Sequence, residues 1–461
     1  MSQTLWSPFA WVEGRWQPEV LLRVGAEGCF EEIRTRTPMT ADATVLPGPV
    51  LPGMVDAHSH AFQRAYAGLA ERRSAAQDDF WSWRERMYAV SLRITSAEMR
   101  VVAAQLYAEL LQGGYTHVCE FHYLHRNEAG GHYADPAEMT LALVAAAQDV
   151  GIGLTLLPVL YERGGFGESV LRPGQRRFAS TVPEVLALRD RVRALGLPCI
   201  DAGTAVHSLR AAGLESMREL VAGLRDDPAP LHLHVAEQAG EVDDCLRDTG
   251  MRPLQWLCEH MPLDARWFFV HATHAEPAEI AAVARRGAGV VVCPSTEANL
   301  GDGFFNLPRW LAAGVPVAFG SDSQIGRDWP TELRQLEYSQ RLLRRERNVA
   351  AAPAEGEDST AARLLQFGLK GGAAAAGQAR WGLVKGARAD LLVVNTSAGA
   401  LAGIPATHVL DALVFSGNAA AFREVWVAGQ RHVVDGRHRA GARLEREFAS
   451  VMASIWSARA S

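Results

Sequence analysis

From about residue 52 to residue 376, short apolar runs alternate with amphipathic segments. Eight runs read as strands: GMVDAH, THVCEFHY, LTLLPVLY, GTAVHS, LHLHVAE, WFFVHAT, GVVVCPS and VPVAFGSD. Each is close to continuously hydrophobic, as a parallel strand covered on both faces must be, whereas a half-exposed strand would alternate. Between the first two, SAEMRVVAAQLYAELLQGG opens on Ser96, carries Glu98 in its first turn and stops at Gly113 and Gly114. Those are the start and stop signals of a helix. PAEMTLALVAAAQDVG, VPEVLALRDRVRALG and EPAEIAAVARRG also end in glycine before the next apolar run. Eight strand-then-helix units predict an α/β fold, a (β/α)8 TIM barrel over residues 52–376.

The flanks have a different rhythm. GRWQPEVLLRV near the start, and ADLLVVN and REVWVAGQRHVVDG near the end, are β-branched and aromatic runs broken by glycine. They predict antiparallel strands in residues 1–51 and 377–461, joined into a small β-sandwich domain formed by both termini. A closing helix, GARLEREFASVMASIW, is expected on the outside. NVAAAPAEGEDS, residues 348–359, reads as a mobile surface loop, and the long segment from Ala70 to Thr95 is the candidate lid over a barrel mouth.

Composition narrows the partners. A chain of 461 residues, 48% hydrophobic and 21% charged, supports one large domain with a minor one beside it. A net charge of -6 gives no basic surface for nucleic acid. Six cysteines, at 29, 119, 199, 245, 258 and 293, show no C-x-x-C spacing, so reduced thiols and a cytoplasmic location are expected. The opening MSQTLWSPFAWVEGRW lacks a basic segment followed by an unbroken apolar one, and no run long enough to span a membrane occurs. A small-molecule partner is what remains.

The candidate chemistry collects at the carboxyl ends of the proposed strands, where barrel enzymes carry their active sites. Strand one ends in VDAHSH, whose Asp56, His58 and His60 share one side by the two-residue period. Strand five ends with His234, followed by Glu237; strand six ends with His271; strand eight ends with Asp322. Three imidazoles and a carboxylate suit one divalent metal, zinc first and iron also, with a position left for water. Such an ion lowers the pKa of a water and so supplies a nucleophile for a trigonal C=N or C=O carbon. The competing reading is five polar residues that merely end strands, each hydrogen-bonded and inert.

The set VDAHSH, HLHVAE, FVHATH and GSDS resembles the amidohydrolase superfamily, mononuclear subtype, over nearly the whole chain. The resemblance implies that His58, His60, His234 and Asp322 bind one zinc and that Glu237 and His271 act on the substrate. Binuclear relatives bridge two metals with a strand-four lysine, but lysine occurs here only at Lys370 and Lys385. Strand four carries AVHSLR instead, offering His207 and Arg210. His232 lies deeper on the side of His234 and is expected in the core. Asp322 can take the water's proton, Glu237 can carry a proton to the leaving nitrogen, and His271 can stabilise charge at the tetrahedral centre.

Around the mouth stand Gln63, Arg64, Arg84, Tyr123, His207 and Arg210. Arginine forks pair bidentately with carboxylates, so a small dicarboxylate substrate is favoured. HAFQRAYAG, WSWRERMY, EFHYLH, HSLRA and SDSQIGRDWPTELRQLEYSQR resemble the formimidoylglutamate deiminases of histidine degradation, with Val206 where that family more often shows proline. That resemblance implies deimination of N-formimino-L-glutamate, with Gln63, Arg84, Tyr123, His207 and Arg210 on the glutamate part, and a homodimer. Trp81, Trp83 and Tyr88 keep open a guanine, 8-oxoguanine or triazine aminohydrolase, and a non-catalytic scaffold barrel is the remoter alternative. RLLRRERN is read as a solvated helix face; His122, His125 and His132 as surface histidines; Cys293 as buried packing.

Overall fold

The computed structural model describes residues 2–73, 80–397, 399–418 and 421–457, with the side chains of 80–82 left out. Eight parallel strands follow one another in the order of the eight apolar runs. They are β1 Met54–Ser59, β2 Tyr115–His122, β3 Gly153–Leu160, β4 Thr204–Val206, β5 Leu231–Val235, β6 Trp267–His271, β7 Gly289–Val292 and β8 Val317–Phe319. Every residue in them is buried, which is why none alternates polar with apolar. The ring closes through one bridge, Ser59 to Asp322. There the Asp322 N–H donates to His58 O at 2.9 Å, and the His60 N–H donates to Asp322 O at 3.2 Å. Gly320 permits the approach, because a Cβ at that position would lie 2.8 Å from the Cβ of His58. The seam of the barrel thus brings the VDAHSH and GSDS motifs together.

The helix that follows the segment from Ala70 to Thr95, Ser96–Gln112, is capped one residue earlier than its sequence signal. Thr95 is the cap, accepting the Glu98 N–H at 3.2 Å, while Glu98 accepts the Thr95 N–H at 3.0 Å. The final helix Gly441–Ser457 packs on Ser96–Gln112, and its Trp456 indole donates to Ala65 O at 3.0 Å. It buttresses the loop that leaves β1.

Strands from both termini share a second, nine-stranded sheet. Val50–Pro52 pairs antiparallel with Leu391–Val394, joining the two ends of the chain. Its separate core includes Leu5, Val20, Leu22, Phe30, Leu391 and Trp426. Because Val50–Pro52 runs through Gly53 into the start of β1, this sheet lies at the amino end of that strand, opposite the mouth. Residues 348–359 differ from expectation. Glu337 accepts the Val349 and Ala350 N–H groups at 2.7 and 3.0 Å, and Ala352 pairs with Glu357, so the segment is tied down by hydrogen bonds. Among the described residues no helix is long and apolar enough to cross a membrane.

Candidate active site

His58, His60 and His234 converge from β1 and β5. His58 Nε2 lies 3.1 Å from His60 Nε2 and 3.0 Å from His234 Nε2. The outer nitrogens decide what those atoms offer. His60 Nδ1 is 3.0 Å from Phe121 O and His234 Nδ1 is 3.0 Å from His207 O. A carbonyl only accepts, so both Nδ1 atoms carry the proton and both Nε2 atoms present bare lone pairs. Burial lowers all three pKa values, that of His58 to about 3, which keeps the rings neutral, as ligands must be. Asp322 Oδ1 adds a fourth donor, 3.5 Å from His58 Nε2 and 3.3 Å from His60 Nε2. Buried lone pairs and a carboxylate gathered this closely repel one another unless a cation sits among them. This donor set fits one divalent metal.

Backbone strain marks the same place. Ala236, His271, Ala272 and Asp322 have φ of 51°, 70°, 49° and 50° respectively, all in the left-handed region. Each such residue costs on the order of 1–3 kcal/mol and persists only where its surroundings over-determine it. A buried network does so at the seam. Asp56 accepts Ser321 N–H at 2.9 Å and Ser321 Oγ–H at 2.5 Å, and Gln324 Nε2 donates to Asp322 O at 2.8 Å and to Ser59 Oγ at 3.0 Å. Ser59 Oγ in turn donates to Glu120, which also accepts the Ala61 N–H at 2.6 Å. Burial pushes Asp56 up to about 7 and Glu120 up to about 8.

Beside this cluster stand the groups that can move protons. His271 Nε2 faces Glu237 Oε1 at 3.7 Å and Asp322 Oδ2 at 3.8 Å, and its Nδ1 faces Glu297 Oε1 at 3.3 Å. Burial pushes Glu237 up to about 7 against the opposing pull of His271 and Arg210. For His271, burial favours the neutral ring, but Glu237, the hydrogen bond to Glu297 and Asp322 outweigh it and raise the pKa to about 10. A carboxyl poised near neutrality beside a cationic donor is equipped for acid–base work.

One cleft unites these groups with every residue that the sequence placed on the substrate. Gln63, Arg84, Tyr123, His207 and Arg210 line it together with His60, His234, Glu237, His271 and Asp322. His58 lies beneath, fully buried. Gln63 Nε2 donates to Tyr123 Oη at 3.3 Å, and His207 packs edge-on against Tyr123 and Tyr161. Arg210 Nη1 sits 3.6 Å from Glu241, which also accepts the Glu237 N–H at 3.2 Å. Arg84 and Arg210 continue into an outer cavity of about 460 Å³ with Arg172 and Arg247.

Some placements depart from the sequence reading, whereas those of His232 and Cys293 agree with it. Arg64 leaves the mouth: it pairs with Glu109 at 2.7 Å and lies over Phe448 of the final helix. His122 and His125 are buried, with His125 bonded to Val159 O, and only His132 is exposed. His232 is in the core, bonded to Ala375 O at 2.9 Å. Cys293 is buried and close to His271 and Asp322. Within the proposed lid, helix Phe80–Ser91 supplies Trp83, Arg84, Met87 and Tyr88 to the cleft, while residues 74–79 and the Trp81 side chain lie outside the described residues. Glu241 and Glu297 were missed. Their only sequence signal is an acid early in the helix that follows a site strand, a position many surface glutamates share.

The profile of the Amidohydrolase family matches residues 50–432. A formimidoylglutamate deiminase of Pseudomonas aeruginosa is 46% identical over 442 residues, spanning 95% of this chain and 96% of its own. The crystal structure of an amidohydrolase from Brucella melitensis superposes with a TM-score of 0.92 at 41% identity, covering 98% of this chain and 99% of its own. An adenosine deaminase from Xanthomonas campestris, solved with bound zinc, shares the fold at a TM-score of 0.82 and 22% identity, covering 99% and 98%. With a barrel closed at a histidine–aspartate seam and a match through most of its length, the chain belongs to the amidohydrolase family.

Proposed function

We propose that this chain hydrolyses N-formimino-L-glutamate to N-formyl-L-glutamate and ammonia, using one divalent ion held by His58, His60, His234 and Asp322, with zinc as the first candidate and iron acceptable to the same donors. The observation that carries the reading is the placement of Arg84 and Arg210 in one cleft with the imidazole–carboxylate cluster. Two guanidinium groups complement a dicarboxylate, and the carboxyl groups of Glu237 and Asp322 complement a cationic amidine. The near-full-length relative named formimidoylglutamate deiminase supports the same substrate.

The bound ion supplies a water made nucleophilic at neutral pH. The rest falls to the chain's own residues. Arg84 and Arg210, with Gln63, Tyr123 and His207, hold the glutamate carboxylates and so place the formimino carbon above the cluster. Asp322 accepts a proton from the incoming water. Glu237 delivers a proton to the terminal nitrogen, whose bond to carbon breaks to release ammonia, and then takes back the proton of the remaining hydroxyl as its carbon–oxygen bond becomes the formyl group. His271 offsets charge developing at the tetrahedral carbon.

Purified, metal-analysed protein should release ammonia from N-formimino-L-glutamate and none from guanine, cytosine or 8-oxoguanine. Turnover confined to a nucleobase would overturn the substrate and favour the aromatic lining of Trp83, Tyr88 and Tyr161 as its determinant. Arg84→Met is expected to raise KM about ten- to a hundredfold, the worth of a charge-assisted hydrogen bond, with kcat and metal content nearly unchanged. Unaltered KM would remove Arg84 from the substrate's contacts.

A further inference from the structure

We infer that Glu297 is a positioning residue for the reaction: it holds a proton on His271 Nδ1 and fixes the ring in one orientation, so that Nε2 is the nitrogen presented to Glu237, Asp322 and the substrate. The kinetic consequence rests on the function proposed above; the structural one does not.

Glu297 lies on helix Pro294–Leu300, directly after β7, and is buried. Its Oε1 accepts the backbone N–H of Cys293 at 3.0 Å. A backbone N–H can only donate, so that oxygen is an acceptor. The same oxygen lies 3.3 Å from His271 Nδ1, which must therefore carry the proton and donate it. With Nδ1 committed, Nε2 is left facing Glu237 Oε1 and Asp322 Oδ2.

Three features make this an anchor rather than a passing contact. A half-turn of the ring about Cβ–Cγ would set a carbon against Glu297 and forfeit the bond. His271 also stacks on His234, ring centroids 5.5 Å apart and planes 11° apart, so a tilt of one ring would disturb a metal donor. The backbone at His271 is left-handed, φ 70°, a conformation that needs support from its surroundings. A carboxylate suits the task better than an amide, because both of its oxygens only accept. A glutamine could turn its NH2 toward Nδ1, where a protonated ring nitrogen has no lone pair to accept it.

The test combines kinetics with a direct reading of the ring. In Glu297→Gln, kcat should fall at least about tenfold, as when a carboxylate partner of a site histidine is removed, while KM stays within threefold and metal content and Tm hold. Glu297→Asp should recover part of the loss. In zinc-loaded protein with 15N-labelled histidine, the His271 signals, assigned by their loss in His271→Asn, should show a protonated Nδ1 in the wild type and a changed pattern in Glu297→Gln. A bare Nδ1 in the wild type overturns the inference, as does an unchanged kcat or a fall in kcat that tracks loss of metal and Tm. Should Glu297→Gln fail to fold, the wild-type spectrum and Glu297→Asp decide. If the wild type leaves N-formimino-L-glutamate untouched yet shows the expected His271 pattern, the substrate assignment fails and the positioning role stands.

Discussion

Glu237→Gln is expected to keep its full complement of metal and to lose about 10²- to 10⁴-fold in kcat, the usual worth of a positioned acid–base group. Glutamine preserves the shape, so the Arg210 and His271 neighbours stay in place, but it cannot take up or release a proton. The environment explains why this carboxyl and not another fills the role. Burial raises Glu237 toward neutrality, with its pKa at about 7, whereas Asp322, equally buried, is held well below the ordinary carboxylate range by the imidazoles around it. Two carboxylates 3.7 and 3.8 Å from one histidine thus divide the work, as their pKa values are driven apart. Steady-state kinetics with metal analysis checks the expectation: near-normal turnover, or loss of metal with activity, would assign Glu237 to another role.

Removal of the ion should have the second large effect. Chelation, or His234→Asn, is expected to reduce ammonia release to background and to lower Tm, and added zinc or ferrous iron should restore the chelated wild type but not the variant. The stability change follows from binding to the folded chain alone, about 3 kcal/mol when the free ion exceeds Kd a hundredfold. Its structural origin is the cluster itself. With Phe121 O and His207 O holding the Nδ1 protons, the Nε2 lone pairs of His60 and His234 both turn toward His58, and without a cation the folded state must bear that repulsion. Activity that survives complete demetallation would refute the assignment of this cluster to a metal.

Much of this architecture was legible in the linear order of residues, for a physical reason. A strand buried on both faces has to be apolar throughout, so the eight barrel strands announce themselves as eight runs, and helix boundaries follow from local hydrogen bonding. Even the shift of one residue at Thr95 is a choice between two neighbouring hydroxyls, Thr95 and Ser96, competing for the same cap. The donors also follow from local order, since polar residues at the carboxyl ends of buried strands have few other reasons to be there. His58, His60, His234, Glu237, His271 and Asp322 were all nameable before any coordinates, as were the arginines at positions 84 and 210.

Partner choice was not legible, because it depends on residues far apart in the chain. Arg64 and Arg210 look alike in sequence, yet Glu109 and Phe448 draw the first out of the mouth while Glu241 holds the second in it. His122 and His125 sit in a stretch that reads as surface, but His122 is the last residue of β2 and the chain beyond it keeps His125 buried as well. Glu297 is one acid among many until β6 and β7 lie side by side and bring its carboxylate to His271. The sequence by itself determined the repeating strand–helix order, the flanking strands and the residues that meet in the imidazole–carboxylate cluster, since periodicity and residue chemistry are local properties. Only the tertiary structure decided the closing seam at Ser59 and Asp322, the tautomers of His60 and His234 and which charges face the cleft, because each is set by a contact between segments that the chain order keeps apart.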